Sequence, residues 1–177
     1  MKFLPTTKEE MKNLGWDSID VLLISGDTYL DTSYNGSALV GKWLVEHGFK
    51  VGIIAQPEVD IPDDITRLGE PNLFFAVSGG CVDSMVANYT ATKKRRQQDD
   101  FTPGGVNNKR PDRAVLVYSN MIRRFFKGTT KKIVISGIES SLRRITHYDY
   151  WTNKLRKPIL FDAKADILSY GMGEMSM

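Results

Sequence analysis

The pattern that most constrains the fold is a short apolar run that ends in a turn with glycine and is followed by a segment with helical spacing. Residues 21–24, Val-Leu-Leu-Ile, form the first such run, which is typical of a strand buried on both faces of a parallel sheet. Residues 37–47 then predict a helix with Leu39, Trp43 and Leu44 on its apolar face. In units of this kind ligands bind where the strands end, so the intervening turn is a candidate binding site.

The same pattern recurs along the chain. Further strands are predicted at residues 51–55, 73–77, 132–135 and 165–170, and four of the five predicted strands end at a glycine turn. Helical segments are predicted between and beside them, at residues 6–15, 63–68, 82–91, 114–126 and 138–144. Because strands alternate with helices, the sequence predicts an α/β fold in which helices cover both faces of a parallel sheet.

The composition is that of one ordinary globular domain. The chain has 177 residues, of which 41% are hydrophobic and 25% are charged. No apolar run approaches the roughly 20 residues of a membrane span, and residues 1–16 do not resemble a secretory signal, so we expect a cytoplasmic protein without a membrane partner. Cys81 is the single cysteine of the chain, and His47 and His147 are its only histidines. The sequence therefore predicts no disulfide within the chain and no metal site built from its residues alone.

Positive charge is concentrated in residues 92–113. This segment contains seven Lys or Arg residues against three Asp residues, so it carries the whole excess of a chain whose net charge is +3. It is also rich in turn-forming residues and offers almost nothing apolar to bury, which predicts a long, exposed basic loop. The run Lys93, Lys94, Arg95 and Arg96 has the chemistry to bind phosphate or nucleic acid, although a solvated helix end is the more common role of such a run.

Several sequence blocks resemble a known family. The blocks LPTTKEEM, NYTATKKRR, HYDYW and DILSYGMGE, together with ISGIE and SLRR, resemble the amino-terminal region of the YgiQ-type radical S-adenosylmethionine (radical SAM) proteins. The resemblance runs from about Phe3 to Glu174. It implies a barrel domain, in cis or in trans, whose CxxxCxxC motif binds a 4Fe–4S cluster and S-adenosylmethionine. That motif is not in this sequence, so the resemblance implies an accessory domain or fragment that holds no cofactor and is inactive alone.

The predicted architecture is also similar to the cobalamin-binding modules that precede many radical SAM barrels. This similarity implies a Rossmann-like, flavodoxin-like sheet of five parallel strands in the order 2-1-3-4-5. Modules that bind cobalamin through histidine have the pattern DxHxxG, whereas this chain keeps Asp31 and Gly36 and has Ser33 in place of the histidine. Histidine ligation is therefore not expected, and cobalamin lying on the strand ends without a protein ligand stays open.

Two groups of residues are candidates for binding. The strand-end turns give candidate cofactor-binding residues, for which tight turns and helix capping are the alternative roles: Gly26, Asp27, Asp31, Ser78, Gly79, Gly80, Gly137, Glu139, Gly171, Gly173 and Glu174. A second group follows the fourth strand and is expected to face the barrel and its substrate, with an interdomain salt-bridge patch as the alternative: Arg143, Arg144, His147, Tyr148, Asp149, Tyr150 and Trp151. No residue is assigned a catalytic or metal-binding role.

Three functions therefore remain. The resemblance favours an accessory domain of a radical SAM enzyme. The glycine turns favour a domain that binds a small molecule, either a nucleotide or a corrinoid. The basic loop would suit a module that contacts nucleic acid, which the sequence supports least.

Overall fold

A parallel sheet forms the centre of the molecule. The structure is a computed structural model that describes residues 3–30, 35–173 and 176. Within these residues, five strands form an all-parallel sheet, namely β1 (Val21–Ser25), β2 (Val51–Ala55), β3 (Phe74–Ser78), β4 (Lys132–Ser136) and β7 (Ile167–Leu168). Their order in the sheet is β2-β1-β3-β4-β7. This topology confirms the predicted α/β, Rossmann-like class and the predicted strand order.

The register of the sheet aligns the ends of its central strands. Ser25 of β1 pairs with Ser78 of β3, and Ser78 pairs with Ser136 of β4. Each of these serines is followed directly by glycine. Three Ser-Gly turns therefore leave the sheet side by side at its carboxyl edge.

Helices cover both faces of the sheet. They are α1 (Lys8–Asn13), α2 (Gly36–Glu46), α3 (Pro62–Thr66), α4 (Ser84–Asn88), α5 (Ala114–Phe125), α6 (Gly137–Leu142) and α7 (Ile159–Asp162). The larger core lies between the sheet and α5, where Val115, Tyr118 and Ile122 are fully buried, and it also includes residues of α1, α3 and α7. A smaller core on the opposite face includes Leu44 of α2 and Leu4. None of the helices in the described residues has the length and apolar character that a membrane span requires.

The apolar face predicted for α2 was right for Leu44, which is buried, and wrong for the other two residues. Leu39 and Trp43 are 40% and 38% exposed. The residues of α2 that are buried with Leu44 are Ala38 and Gly41. A Cβ atom on Gly41 would lie 2.3 Å from Cδ1 of Leu4, so the helix approaches the core too closely for a large side chain on this face.

Residues 147–156 form an element that the sequence analysis did not predict. β5 (His147–Asp149) and β6 (Lys154–Arg156) pair as a two-stranded antiparallel hairpin, separate from the main sheet. Other predicted elements are present but shorter. The fifth strand of the sheet, predicted over residues 165–170, is limited to Ile167–Leu168, and the helix predicted over 82–91 is limited to Ser84–Asn88.

Candidate functional site at the carboxyl edge of the sheet

A cavity of about 240 Å³ lies at the ends of β1, β3 and β4. Six of the predicted binding residues line it, namely Asp27, Ser78, Gly80, Gly137, Gly171 and Gly173. Gly26, Gly79 and Glu139 are not among its lining residues, and Asp31 and Glu174 lie outside the described residues. The structure therefore brings together turns from four separate parts of the chain, and their role in binding stays a prediction.

The glycines of these turns are required by the packing of one turn against the next. A Cβ atom on Gly26 would lie 2.2 Å from the carbonyl oxygen of Gly79, and one on Gly79 would lie 2.5 Å from Oε2 of Glu139. A Cβ atom on Gly80 would lie 2.1 Å from Oδ1 of Asp27. These contacts leave no room for a side chain, so the glycines have a structural reason that is independent of any ligand.

A fully buried arginine joins the turns beneath the cavity. Nη2 of Arg110 lies 2.8 Å from Oδ1 of Asp27 and 3.2 Å from Oδ2 of Asp99, and Nη1 donates to the carbonyl oxygen of Gly79 at 2.9 Å. The side chain of Arg110 is 0% exposed, and those of Asp27 and Asp99 are 6% and 2% exposed. Since an unpaired buried charge is costly, the three groups stabilise one another only as a set.

Most residues of the basic loop are exposed or only partly buried, but four polar residues of the loop are buried. These four are Asp99, Thr102, Asn107 and Arg110. Polar side chains, rather than apolar ones, hold this loop against the sheet edge. Nε2 of Gln56 donates both to the carbonyl oxygen of Gly26, at 3.0 Å, and to Oγ1 of Thr102, at 2.7 Å.

Glu139 caps two helices from within the core. Its Oε2 accepts the N–H of Ser84 at the start of α4, and its Oε1 accepts the N–H of Val115 at the start of α5. Because both oxygens are engaged in this way and the residue is 1% exposed, Glu139 organises the protein behind the cavity. Burial raises the pKa of this carboxyl above its usual range.

Cys81 lines the cavity next to Asp27. Oδ2 of Asp27 accepts the backbone N–H of Cys81 at 2.6 Å. Cys81 is exposed, but partial desolvation of its thiol, with a hydrogen bond to Asp27 and the negative charge of that residue, raises the pKa of the thiol to about 12. The raised pKa favours the protonated thiol at neutral pH, which argues against the reactive or ligating cysteine that a position near a helix start allows.

The hairpin is attached to the domain through Asp149. Oδ2 of this buried carboxylate lies 2.7 Å from Nη2 of Arg113 and 3.2 Å from Nε of Arg156, and it accepts the N–H of Thr152 at 3.1 Å. Although burial alone raises the pKa of Asp149, the hydrogen bonds from Thr152 and Arg113 hold it far below its usual range. Asp149 thus has a structural role at the base of the hairpin.

The pH dependence of stability tests this role. Because the folded-state pKa of Asp149 is lower than the value of about 3.9 in an unfolded chain, its contribution is complete above that pH and is lost as the pH falls below it. We expect Asp149→Asn to lower the free energy of unfolding at pH 7 by about 1–3 kcal/mol. Urea unfolding at pH 7 and at pH 3 should show a smaller difference between the two proteins at pH 3, and an equal difference at both pH values would contradict the assignment.

The basic run and the aromatic residues of the hairpin contact each other. Nζ of Lys93 lies 4.6 Å from the centre of the Tyr150 ring, whose hydroxyl donates to the carbonyl oxygen of Ala91 at 2.7 Å. The ring of Trp151 packs on Tyr89, with a centroid distance of 5.4 Å. Lys93, Tyr150 and Trp151 therefore form, with Tyr89, one surface that is separate from the lining of the cavity.

Most cations of the run have partners within the domain. Nη1 of Arg95 lies 3.1 Å from Oδ1 of Asp112, and Nε of Arg96 donates to the carbonyl oxygens of Val86 and Tyr89, each at 3.2 Å. Together with the contact of Lys93, these bonds explain the run as a structural feature. The run therefore gives little support for a nucleic-acid interface.

Arg143 and Arg144 both have partners within the domain. Arg143 forms a partly buried ion pair with Asp83, which caps α4, and Nη1 of Arg144 donates to the carbonyl oxygen of Ser141 at 2.8 Å. The guanidinium of Arg144 also lies over the ring of Tyr170, 5.4 Å from its centre. The side chain of His147 is half-buried, with Nδ1 3.2 Å from the carbonyl oxygen of Ile145, and Tyr148 is exposed.

Next to the cavity, a set of large apolar side chains is exposed. We call it the α6 patch, and it consists of Ile138, Leu142, Ile145, Tyr170 and Met172, which are 41% to 81% exposed. The two segments that carry it are adjacent, because the N–H of Gly171 contacts Oγ of Ser141 at 3.4 Å. Ile138 and Met172 also line the cavity, so the patch is continuous with its rim. Clustered apolar exposure of this kind is found at protein–protein, membrane and ligand-binding surfaces.

The residues that sequence reasoning missed are those whose partners are distant in the chain. Arg110 and Asp99 were counted only as charges of a loop, and Ser136 was not selected although it precedes Gly137. The repeated Ser-Gly turn was the signal that pointed to Ser136. No local signal marks Arg110, because an isolated arginine in a basic segment is ordinarily solvent-exposed.

The fold and the position of the cavity define a class of protein, and comparison with known sequences defines the family. A parallel sheet whose order reverses beside β1, with a cavity at the strand ends, is the architecture of α/β binding domains. The chain belongs to the radical SAM N-terminal family, whose model matches residues 3–177. No solved structure matches the chain.

The relatives that the chain matches are much longer than the chain itself. A UPF0313 protein of Fusobacterium nucleatum is 99% identical over 177 residues, which are 100% of this chain and 31% of that protein. A UPF0313 protein of Thermotoga neapolitana is 61% identical over 175 residues, covering 99% of this chain and 30% of the relative. For a UPF0313 protein of Methanocaldococcus jannaschii the identity is 56% over 175 residues, with 99% of this chain and 28% of the relative covered.

Proposed function

We propose that this chain is the amino-terminal accessory domain of a YgiQ-type radical SAM protein and that it forms one side of the substrate cleft. The single observation that carries the proposal is the α6 patch, which is continuous with the rim of the strand-end cavity. A partner that covers the patch would enclose the cavity between the two domains. The partner in this proposal is the radical SAM barrel. The proposed location of the whole protein is the cytoplasm.

The residues of this chain do not fit the iron–sulfur cluster that such a barrel uses. A 4Fe–4S cluster of this type needs three cysteine thiolates, whereas the chain has Cys81 alone, and the neighbouring Asp27 and partial desolvation favour its protonated form. Among the described residues there is also no group of three or more His, Cys, Asp or Glu side chains placed to hold a metal ion. In this proposal the cluster and S-adenosylmethionine are therefore bound by the barrel.

The α6 patch has the chemistry of a contact between domains. Its side chains are aliphatic, aromatic and thioether groups, and Arg144 and Ser141 bond within the patch segments rather than projecting as free polar groups. Interfaces of this kind have an apolar centre that is depleted in charge. The hairpin and the basic run, whose charges are largely paired, lie outside this surface.

Amide hydrogen exchange on the full-length Fusobacterium relative tests the proposal. We expect the amides of α6 (Gly137–Leu142) to exchange at least roughly tenfold more slowly in the full-length protein than in the 177-residue chain, because a covering domain stabilises a short helix against local opening. The amides of α1 (Lys8–Asn13), at the other end of the domain core, serve as the internal control and should be unchanged.

A matched pair of variants assigns the effect to the patch. Leu142→Asp in the full-length relative is expected to return the α6 amides to the rate of the isolated chain, since it places a charge in an apolar contact. Leu73→Asp introduces the same charge at a residue that is 47% exposed and precedes β3 at the amino edge of the sheet, and it should have no such effect. Equal α6 exchange in the chain and in the full-length relative would contradict the proposal.

A further inference from the structure

We infer that the strand-end cavity binds an uncharged nucleoside-like compound, with its ring between apolar side chains and its hydroxyl groups on the serines of the sheet edge. The cavity lies where β1 and β3 are neighbours, which is the point at which the strand order changes direction. In open α/β sheets ligands bind outside the carboxyl ends of the strands at this point. The inference concerns the chain itself and does not depend on the proposed barrel.

The lining of the cavity combines apolar and hydroxyl-bearing residues. Apolar surface for a planar ring comes from Val40 of α2, Ala76 of β3, and Ile138 and Met172 of the α6 patch. Hydroxyl groups come from Ser78 and Ser136. Binding sites for small molecules commonly combine mostly apolar walls with a few placed polar groups.

The two serines of the lining have hydrogen-bonding capacity that the described residues leave unused. Ser136 occupies the N-cap position of α6 but makes no side-chain capping bond. Oγ of Ser78 accepts the N–H of Gly80 at 3.2 Å, which leaves its hydroxyl proton available to a ligand. Two adjacent hydroxyl groups on neighbouring, in-register strands suit a ligand that has hydroxyl groups of its own.

Charge favours an uncharged ligand over a phosphorylated one. The described lining residues contain no lysine, arginine or histidine, and beneath them the two carboxylates of Asp27 and Asp99 share the single guanidinium of Arg110. The starts of α2 and α6 both border the cavity, and each helix terminus contributes only about half a positive charge, which does no more than offset the excess carboxylate. The described lining therefore offers no side-chain cation to pair with a phosphate group, which favours an uncharged ligand.

Size limits the ligand further. A volume of about 240 Å³ is smaller than the roughly 300–1,000 Å³ of pockets for drug-sized ligands. A single nucleoside suits such a space, whereas a dinucleotide or a complete corrinoid is too large to be enclosed. Of the small-molecule ligands that the sequence left open, a nucleotide or a corrinoid, the size of the cavity therefore favours only a single nucleoside unit.

Isothermal titration of the 177-residue chain with adenosine, guanosine, cytidine and uridine tests the inference. We expect at least one of them to bind with Kd below about 1 mM, and its 5′-monophosphate to bind at least roughly tenfold more weakly. Binding by none of the four nucleosides would overturn the inference. A monophosphate that binds as tightly as its nucleoside would overturn it as well.

Variants locate the binding in this cavity. Ile138→Trp should abolish it, because residue 138 lines the cavity and is 41% exposed, so the larger ring can enter the cavity without disturbing the core. Ile145→Trp, at a position that is 64% exposed and outside the lining, is the matched control and should bind as the unmodified chain does. Ser136→Ala should weaken binding about threefold to tenfold.

The results of the nucleoside titration do not depend on the hydrogen-exchange result that tests the proposed function. Circular dichroism establishes that each variant is folded before titration. Binding that survives Ile138→Trp in a folded protein would place the ligand elsewhere and overturn the inference. The exchange rate of α6 in the full-length relative does not enter this experiment, so either proposal can fail while the other stands.

Discussion

Replacing Arg110 with alanine is expected to lower the free energy of unfolding of the chain by about 3–5 kcal/mol, which is the usual cost of removing one partner from a buried ion pair. The substitution leaves Asp27 and Asp99 as neighbouring carboxylates, 6% and 2% exposed, without the cation between them. It also removes the donor to the carbonyl oxygen of Gly79. Urea unfolding followed by circular dichroism measures the change.

The neighbouring lysine provides the control for this prediction. Lys109 pairs with Glu58 at the surface, where both side chains are 42% exposed, so Lys109→Ala should leave the unfolding midpoint nearly unchanged. Combining Arg110→Met with Asp99→Asn should recover part of the loss, because the amide removes one of the two uncompensated charges. If Arg110→Ala and Lys109→Ala have equal effects, the buried triad does not hold the loop to the sheet edge.

Replacing Gly26 with alanine is expected to cost at least about 3 kcal/mol, the upper end of the usual range for overpacking. The new Cβ atom would lie 2.2 Å from the carbonyl oxygen of Gly79, which is backbone and has no alternative rotamer. The Gly26 turn has little freedom to move away, because its N–H donates to the carbonyl oxygen of Ser78 at 2.9 Å. The same urea unfolding experiment applies.

Gly36→Ala is the matched control for Gly26→Ala. Gly36 begins α2 and does not have a positive φ, and among the described residues no atom lies within 4 Å of the position of an added Cβ. Alanine there should be neutral or stabilising by up to about 1 kcal/mol. If the two substitutions have similar effects, the turns are not packed as closely as described.

The elements of the main sheet could be predicted because their local signals agree with their tertiary setting. The run at 21–24 is apolar on both sides and is buried on both sides, and the helix at 114–126 has a face that matches the core. The face of α2 could not be predicted in the same way. Its large residues Leu39 and Trp43 have the stronger hydrophobic signal, but close packing against Leu4 selects small residues.

The location of the candidate site could be predicted from the sequence, but the buried hydrogen bonds and ion pairs that connect its residues could not. Glycine after a strand indicates where the chain turns, and this placed Gly80 and Gly137 at the sheet edge correctly. It does not indicate that Glu139 caps α4 and α5, or that Arg110 is buried, because these roles depend on groups that only the fold brings together. The hairpin was missed because its strands have three residues each, too few for an alternating pattern.

Reductive cleavage of S-adenosylmethionine tests the central claim, that this domain serves a reactive centre held by another part of the protein. After the same anaerobic treatment with iron, sulfide and a reductant, the full-length Fusobacterium relative should form 5′-deoxyadenosine and the 177-residue chain should form none. Formation of 5′-deoxyadenosine by the chain alone would contradict the account.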